Sequence, residues 1–190
     1  MEITNPLDLA DRAAWRNWLS TNHRTAPDAW LLLRRAQDTD WVIYLDAVEE
    51  ALCFGWIDST AKRFAEGVSA QRFGPRRARS NWTELNKARA RRLITLGLMT
   101  DAGTATLPDL TMRTDVPPDI EAALRASASA WLQWLAMPAL YRAVRLGYVD
   151  EVRRQPAEFE RRLANLVAKT TDGVQFGNWN DGGRLVDGPS

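Results

Sequence analysis

The sequence is poor in the residues that most often announce a chemistry. Its 190 residues include one cysteine and one histidine. A single Cys excludes an internal disulfide and an all-cysteine zinc site. No GxGxxG, P-loop, HExxH or GxSxG pattern occurs, so no dinucleotide, phosphate-loop, metalloprotease or serine-hydrolase signature is present, and neither a cofactor nor a metal is expected. Lysine is scarce: Lys62, Lys87 and Lys169 stand among 25 bases. Charge of one sign is lacking as well, since 25 bases face 24 acids for a net +1, which argues against a globally basic nucleic-acid protein or an acidic disordered tail. No apolar run approaches the ~18 residues of a membrane span. The opening MEITNPLDLADRAAW carries acids where a secretory signal has a basic start and an apolar stretch. A reducing, cytoplasmic, membrane-free setting is the expectation.

What the sequence has in excess is tryptophan, at positions 15, 18, 30, 41, 56, 82, 131, 134 and 179. Rings of that size supply core area and carry an N–H that needs a partner when buried, so most are expected to be core anchors rather than stacking platforms. The second feature is segregated charge. Residues 62 to 92 hold ten bases and two acids, a net +8 that leaves the remainder at −7. Those bases either pair with the acidic remainder or build an anion site.

Periodicity and punctuation predict the elements. Asp8 reads as the N-cap of a helix to about Ser20, with Trp15, Trp18 and Leu19 as its buried stripe. Residues 29 to 35 read as a buried strand and 44 to 54 as a helix closed by Gly55. Residues 56 to 73 read as a hairpin turning at Ala65, Glu66 and Gly67, in which period-2 alternation puts Trp56, Asp58, Thr60 and Lys62 on one face. Ser80 or Asn81 is the predicted cap of a helix to about Leu96, Asn81 with Glu84 resembling a capping box. Residues 101 to 119 are rich in Gly, Pro, Thr and Asp and read as linker. Helices follow at 120 to 136, at 138 to 146 closed by Gly147, and from Pro156, before a turn-rich FGNWNDGGRL end whose Trp179 docks back. The expected fold class is α+β, a small antiparallel sheet with flanking helices followed by a mainly α-helical part. The expected division is a domain over 1–105, a linker over 106–119, a helical segment over 120–170 and a tail over 171–190.

Cys53, between Leu52 and Phe54, reads as an inert core thiol rather than a nucleophile, and His23 as a solvent-facing or capping residue. Asp58, following Trp-Ile inside a strand, is the carboxylate expected to be partly desolvated, either ion-paired to Lys62 or an Arg or active as an acid or base.

Read together, ALCFGWIDS (51 to 59), Lys62, QRFGPRR (71 to 77), SNW (80 to 82), Asn86 and GLM (97 to 99) resemble the YdeI/OmpD-associated family, often labelled bacteriocin-protection proteins, over roughly residues 10 to 105. The family pattern falls on Trp56, Asp58, Lys62, Arg72, Pro75, Arg76, Ser80, Trp82 and Asn86. The resemblance implies a small bacterial cytoplasmic protein linked to stress or bacteriocin tolerance, with no established reaction.

Three functions are carried forward. The first is binding of a small anionic or phosphorylated ligand, with Arg76 and Arg77 on the GPRR turn, the helix opened by Ser80, and Trp56 and Trp82 as walls; Asp58, Lys62, Arg72 and Asn86 complete the expected site. The second is nucleic-acid binding by segment 62–92, with Phe73 or Trp82 stacking on bases. The third is an enzyme using Asp58 beside an Arg clamp. A purely structural staple joining hairpin to helix competes with all three.

Overall fold

A computed structural model describes residues 2–34, 42–78 and 80–185. The chain forms two compact units, one comprising residues up to Asn81 together with Ala90–Asp109, the other Trp82–Arg89 together with the chain from Leu110 onward. The architecture is α+β: a three-stranded antiparallel sheet with flanking helices, followed by a helical part.

The first unit opens with α1 (Arg12–Asn22), capped by Asp11, whose Oδ1 accepts the Ala14 N–H at 2.7 Å. Asp8, the expected cap, is drawn elsewhere: Leu7 bridges Leu31, and Asp8 takes Arg34 at 3.2 Å. Chain there is extended along β1 (Ala29–Arg34), which keeps it from starting a helix. Next come α2 (Tyr44–Cys53), β2 (Trp56–Ala65) and β3 (Val68–Pro75), in sheet order β1-β3-β2. The hairpin turn lies where the sequence put it, with Gly67 at φ +70. Trp41 lies outside the described residues.

One face of the sheet is the core. Phe73 meets Trp15 at 5.4 Å, Trp15 stacks on Trp18 at 5.3 Å, and Trp18 meets the edge of Trp56 at 5.8 Å. The buried indoles are satisfied: Trp15 Nε1 donates to the Ala47 carbonyl and Trp56 Nε1 to the His23 carbonyl, both at 3.1 Å. Along β2 the simple alternation fails. Asp58 lies opposite Phe73 but Ala61 opposite Gln71, so a bulge inserts one residue between them. Lys62 then pairs with Ala70 and shares its face, while Asp58 shares the face of Phe73. The predicted single face of Trp56, Asp58, Thr60 and Lys62 is therefore corrected: Lys62 lies on the opposite side from Asp58.

The α1–α2 seam is ionic. Arg12 reaches Asp46 at 3.0 Å, Glu49 at 2.8 Å and Glu50 at 2.6 Å, Arg16 holds Glu50 at 2.6 Å, and Arg92 holds Glu49 at 2.9 Å. Glu49 and Glu50 are buried, an arrangement tolerable only because each is met by guanidinium groups.

Helix α3 (Glu84–Thr95) begins later than expected. Ser80 closes a turn on Arg77, its N–H reaching the Arg77 carbonyl at 2.9 Å and its Oγ accepting the Arg77 N–H at 3.0 Å. Thr83 takes over the cap, accepting the Asn86 N–H at 3.2 Å. Helix α4 (Asp101–Thr104) forms at the start of the stretch read as linker because Thr100 caps it and also binds the Cys53 carbonyl at 2.6 Å.

In the second unit, α5 (Pro118–Arg125), α6 (Ala128–Ala136), α7 (Ala139–Asp150) and α8 (Pro156–Thr171) bury Ile120, Leu124, Trp134, Tyr141, Leu146, Val149 and Leu166. The single helix expected over 120 to 136 is two, because Ser127 caps a new start by accepting the Ala130 N–H at 3.2 Å. Helix α7 runs on through Gly147, which keeps right-handed backbone and so does not terminate it. Trp179 sits edge-on to Tyr141 at 5.8 Å. Asp181, in left-handed backbone at φ +51, is fully buried against Arg89, Oδ2 at 2.6 Å from Nε and Oδ1 at 2.8 Å from Nη2, with Asn178 and Asn86 completing the network. Burial opposes ionisation of Asp181, but the Arg89 guanidinium outweighs it and holds the carboxyl below its ordinary range.

Candidate functional site

Tyr44 opens α2 and is half exposed; from there its hydroxyl donates to Asp58 Oδ2 on β2 at 2.8 Å. Tyr44 also lines a hollow at the far end of the sheet. This hollow of about 730 Å³ is lined by Leu33, Ala61, Val68 and Gln71 together with Arg34, Lys62, Arg63, Glu66 and Tyr44. That volume falls within the range of small-molecule sites, about 300–1,000 Å³. The strands explain the lining. Leu33 pairs with Ser69 and Ala61 with Gln71 on one face, Arg34 pairs with Val68 and Lys62 with Ala70 on the other, and the hairpin turn brings Glu66 to the same end of the sheet. Among the described lining residues three cations accompany one carboxylate. Arg34 is paired with Asp8, whereas Arg63 is exposed and makes no ion pair with a described residue.

The residues singled out from sequence are distributed as follows. Lys62 lines the hollow, and Asp58 borders it through Tyr44. Trp56 is core, 1% exposed. Arg72 is held by Asp28, with Nε at 3.1 Å and Nη2 at 2.5 Å from Oδ2. Arg76 is 9% exposed, its N–H bonded to the Gly55 carbonyl at 2.9 Å and its Nη1 donating to the Asn81 carbonyl at 3.1 Å. Burial pushes the Arg76 guanidinium below its usual range, with the charge of Asp58 opposing that shift. Arg77 is exposed, and Ser80 is occupied in its turn. Arg79 lies outside the described residues. Trp82 and Asn86 belong to the second unit, where Asn86 Oδ1 accepts Arg89 Nη1 at 2.8 Å. In that unit the first turn of α3 contains its own carboxylate: Glu84, buried, accepts Lys87 Nζ at 2.9 Å and the Arg113 N–H at 3.2 Å.

The other titratable candidates behave structurally. His23 is the C-cap of α1, its ring nitrogen Nδ1 donating to the Leu19 carbonyl at 2.8 Å and its ring against Phe54 at 5.2 Å. The Cys53 thiol is buried, and burial, together with the charge of Glu50, pushes it up to about 11 against a partly offsetting Arg16. A thiol so protonated is a poor nucleophile. Among the described residues no group of His, Cys, Asp and Glu is placed to hold a metal ion, and no helix is long and apolar enough to cross a membrane.

Sequence reasoning missed Tyr44, Arg34, Arg63 and Gln71 as lining residues. The available signal was Gln71, an uncharged polar side chain on the central strand in the same register as the buried Phe73.

A family model described as "Bacteriocin-protection, YdeI or OmpD-Associated" matches residues 113–173, which carry α5 to α8. The resemblance read from the first hundred residues thus holds for the chain but not for its place: residues 7–106 match a different model. No curated protein and no solved structure matches the chain. Since that second match spans more than half of the sequence and every element from α1 to α4, the protein belongs to the family described as Domain of unknown function (DUF8412).

Proposed function

We propose that the first unit is a binding module for a small anionic or phosphorylated ligand, seated in the hollow at the far end of the sheet, within a bacteriocin-protection-like protein. The observation that carries this reading is the lining: Arg63 shares its sheet face with Leu33 and Ala61, Arg34 and Lys62 line the hollow from the other face, and Glu66 is the one acid among the described lining residues. Apolar lining lowers the local dielectric, so the same cations attract an anion more strongly there than on an open surface. Arg63 supplies a fork of donors that is in no ion pair with a described residue and is suited to a phosphate or carboxylate.

A compact anion suits the protein better than a long polyanion, because much of the basic segment is already neutralised. Arg72 is on Asp28, Lys87 on Glu84, Arg89 on Asp181 and Arg92 on Glu49. The test is a thermal-shift titration with inorganic pyrophosphate at fixed ionic strength. A ligand at a hundred times its Kd stabilises the folded state by about 2.7 kcal/mol. The expected result is a saturable rise in Tm for the wild type that is lost in Arg63→Ala, whose own Tm is unchanged because Arg63 is exposed and makes no ion pair with a described residue. A rise of equal size in Arg63→Ala, or none in the wild type, refutes the reading.

A further inference from the structure

The helical unit holds a cavity of its own, and we infer that it binds a short aliphatic monocarboxylate on Arg142. This site is independent of the hollow beside the sheet and of the anion read there. The inference starts from Arg142, on α7. Elsewhere in this unit arginines are spent on acids: Arg89 on Asp181, Arg113 on Asp150, Arg153 on Asp119 and Arg162 on Glu151. The Arg142 guanidinium makes no hydrogen bond or ion pair with a described residue, and neither does that of Arg154. Arg154 is exposed in the turn after α7, where water serves it. Arg142 is half-buried and lines a cavity of about 70 Å³. A guanidinium withdrawn from water without an acceptor is unfavourable, and its fork of donors matches a carboxylate.

The remaining lining sets the charge, polarity and size of the ligand. Arg113 also lines the cavity, but its Nη1 is on Asp150 at 2.7 Å, its Nε on the Asp115 carbonyl at 3.3 Å and its Nη2 on the Asp115 carboxylate at 3.4 Å. Its charge is already met. One uncommitted cation, with no acid among the described lining residues, calls for a monoanion. Met112, Val116, Trp134 and Leu146 make the lining apolar, so a doubly charged phosphate or sulfate would bring uncompensated charge against hydrocarbon. Thr114 adds a hydroxyl that no described residue bonds, a donor for the second carboxylate oxygen. At about 10–15 Å³ for each water-sized group, 70 Å³ holds roughly five to seven heavy atoms. Propionate and butyrate are of that size, whereas a nucleotide, a sugar phosphate or an aromatic acid is too large.

The test is a titration of the ¹⁵N-labelled full chain with acetate, propionate, butyrate, hexanoate and propionamide at fixed pH and ionic strength. It is read at the indole N–H resonance of Trp134, which localises binding to this cavity. The expected result is a saturable shift with a millimolar or lower Kd, the range open to so few atoms. Affinity should rise about fourfold per methylene from acetate to butyrate, the worth of one buried CH₂, and fall for hexanoate, which outgrows the cavity. Propionamide, alike in size but uncharged, should bind about tenfold or more weaker than propionate. Arg142→Met keeps the aliphatic stem and removes the charge; since no contact to a described residue is lost, its Tm should match the wild type, and propionate should drop to the level of propionamide. The comparison of ligands on the wild type decides the matter by itself if that variant fails to fold. Equal binding of propionate and propionamide, or an Arg142→Met protein that holds propionate as well as the wild type, overturns the inference. So does the absence of any saturable shift at Trp134.

Discussion

Removing the Asp181 carboxylate should destabilise the second unit more than any surface substitution in it. Asp181 and Arg89 are both buried, with two short contacts at 2.6 and 2.8 Å, and they tie residues 92 positions apart. In Asp181→Ala the guanidinium stays buried and keeps Asn86 Oδ1 as an acceptor, but loses its carboxylate. Breaking one side of a buried pair costs about 3–5 kcal/mol, most of it the uncompensated charge. With a urea dependence of about 1–3 kcal/mol per molar, the midpoint falls by more than about 1 M. Trp179, edge-on to Tyr141 in the same tail, gives a local fluorescence signal beside the global one. Asp181→Asn is the more incisive variant: it keeps a side chain that tolerates the φ of +51 and can still accept a hydrogen bond, but it removes the charge. The carboxyl titrates lower in the folded protein than in the unfolded chain, so its stabilisation is fully present above the unfolded value of about 3.9 and is lost as pH falls through the folded value. The gap between wild type and Asp181→Asn should therefore be widest near neutrality and close in acid. A loss under about 1 kcal/mol in Asp181→Ala, or a gap independent of pH, would refute the assignment of this pair as the anchor of the tail.

Other consequences are direct. Gly103→Ala places a methyl against the Cys53 carbonyl oxygen and the Met99 sulfur at a backbone that has no room to yield, so a loss of about 2 kcal/mol or more in chemical denaturation is expected. Arg12→Ala strips one guanidinium from Asp46, Glu49 and Glu50 at once and should cost about 2–4 kcal/mol by the same assay, with Glu50→Gln in that background restoring part of it. Cys53, protonated up to about pH 11 and buried, should resist a thiol reagent at pH 8 in the native protein and react fully in denaturant. Trp56→Ala should cost about 3–5 kcal/mol, as expected of a core ring whose indole N–H is bonded to His23 rather than of a ligand wall.

The elements were legible because their signals are local. Trp15 and Leu19 at i, i+4 marked the buried side of α1, and the Ala65–Gly67 turn marked the hairpin. What was illegible was competition between neighbours for the same role. Asp8 and Asp11 are both good caps, and only the pairing of Leu7 with Leu31, a long-range event, decides between them. Ser80, Asn81 and Thr83 compete likewise, and Ser80 is spent on its own turn. The bulge after Asp58 has no glycine to announce it, yet it decides which residues share a face. It is also what takes Lys62 off the Asp58 face, so the site could not be assembled from alternation alone.

The basic segment deserves to be read in the same terms. Ten bases in thirty-one residues look like a patch when the chain is a line, but a patch needs its charges to stay uncompensated after folding. Here the acids that meet them lie far off in sequence: Asp28 for Arg72, Glu49 for Arg92, Asp181 for Arg89, with separations of 44, 43 and 92 residues. Charge separation along the chain has thus become charge neutralisation in space, and it specifies which distant segments come together, since a wrong pairing would leave a buried guanidinium without its carboxylate. The functional content of the segment is then what this neutralisation leaves over. Arg63 on β2 is such a residue, exposed and in no ion pair with a described residue, and it lines the hollow at the end of the sheet. The same physics that consumes the conspicuous arginines as staples leaves Arg63 for the contact that the proposed anion site requires.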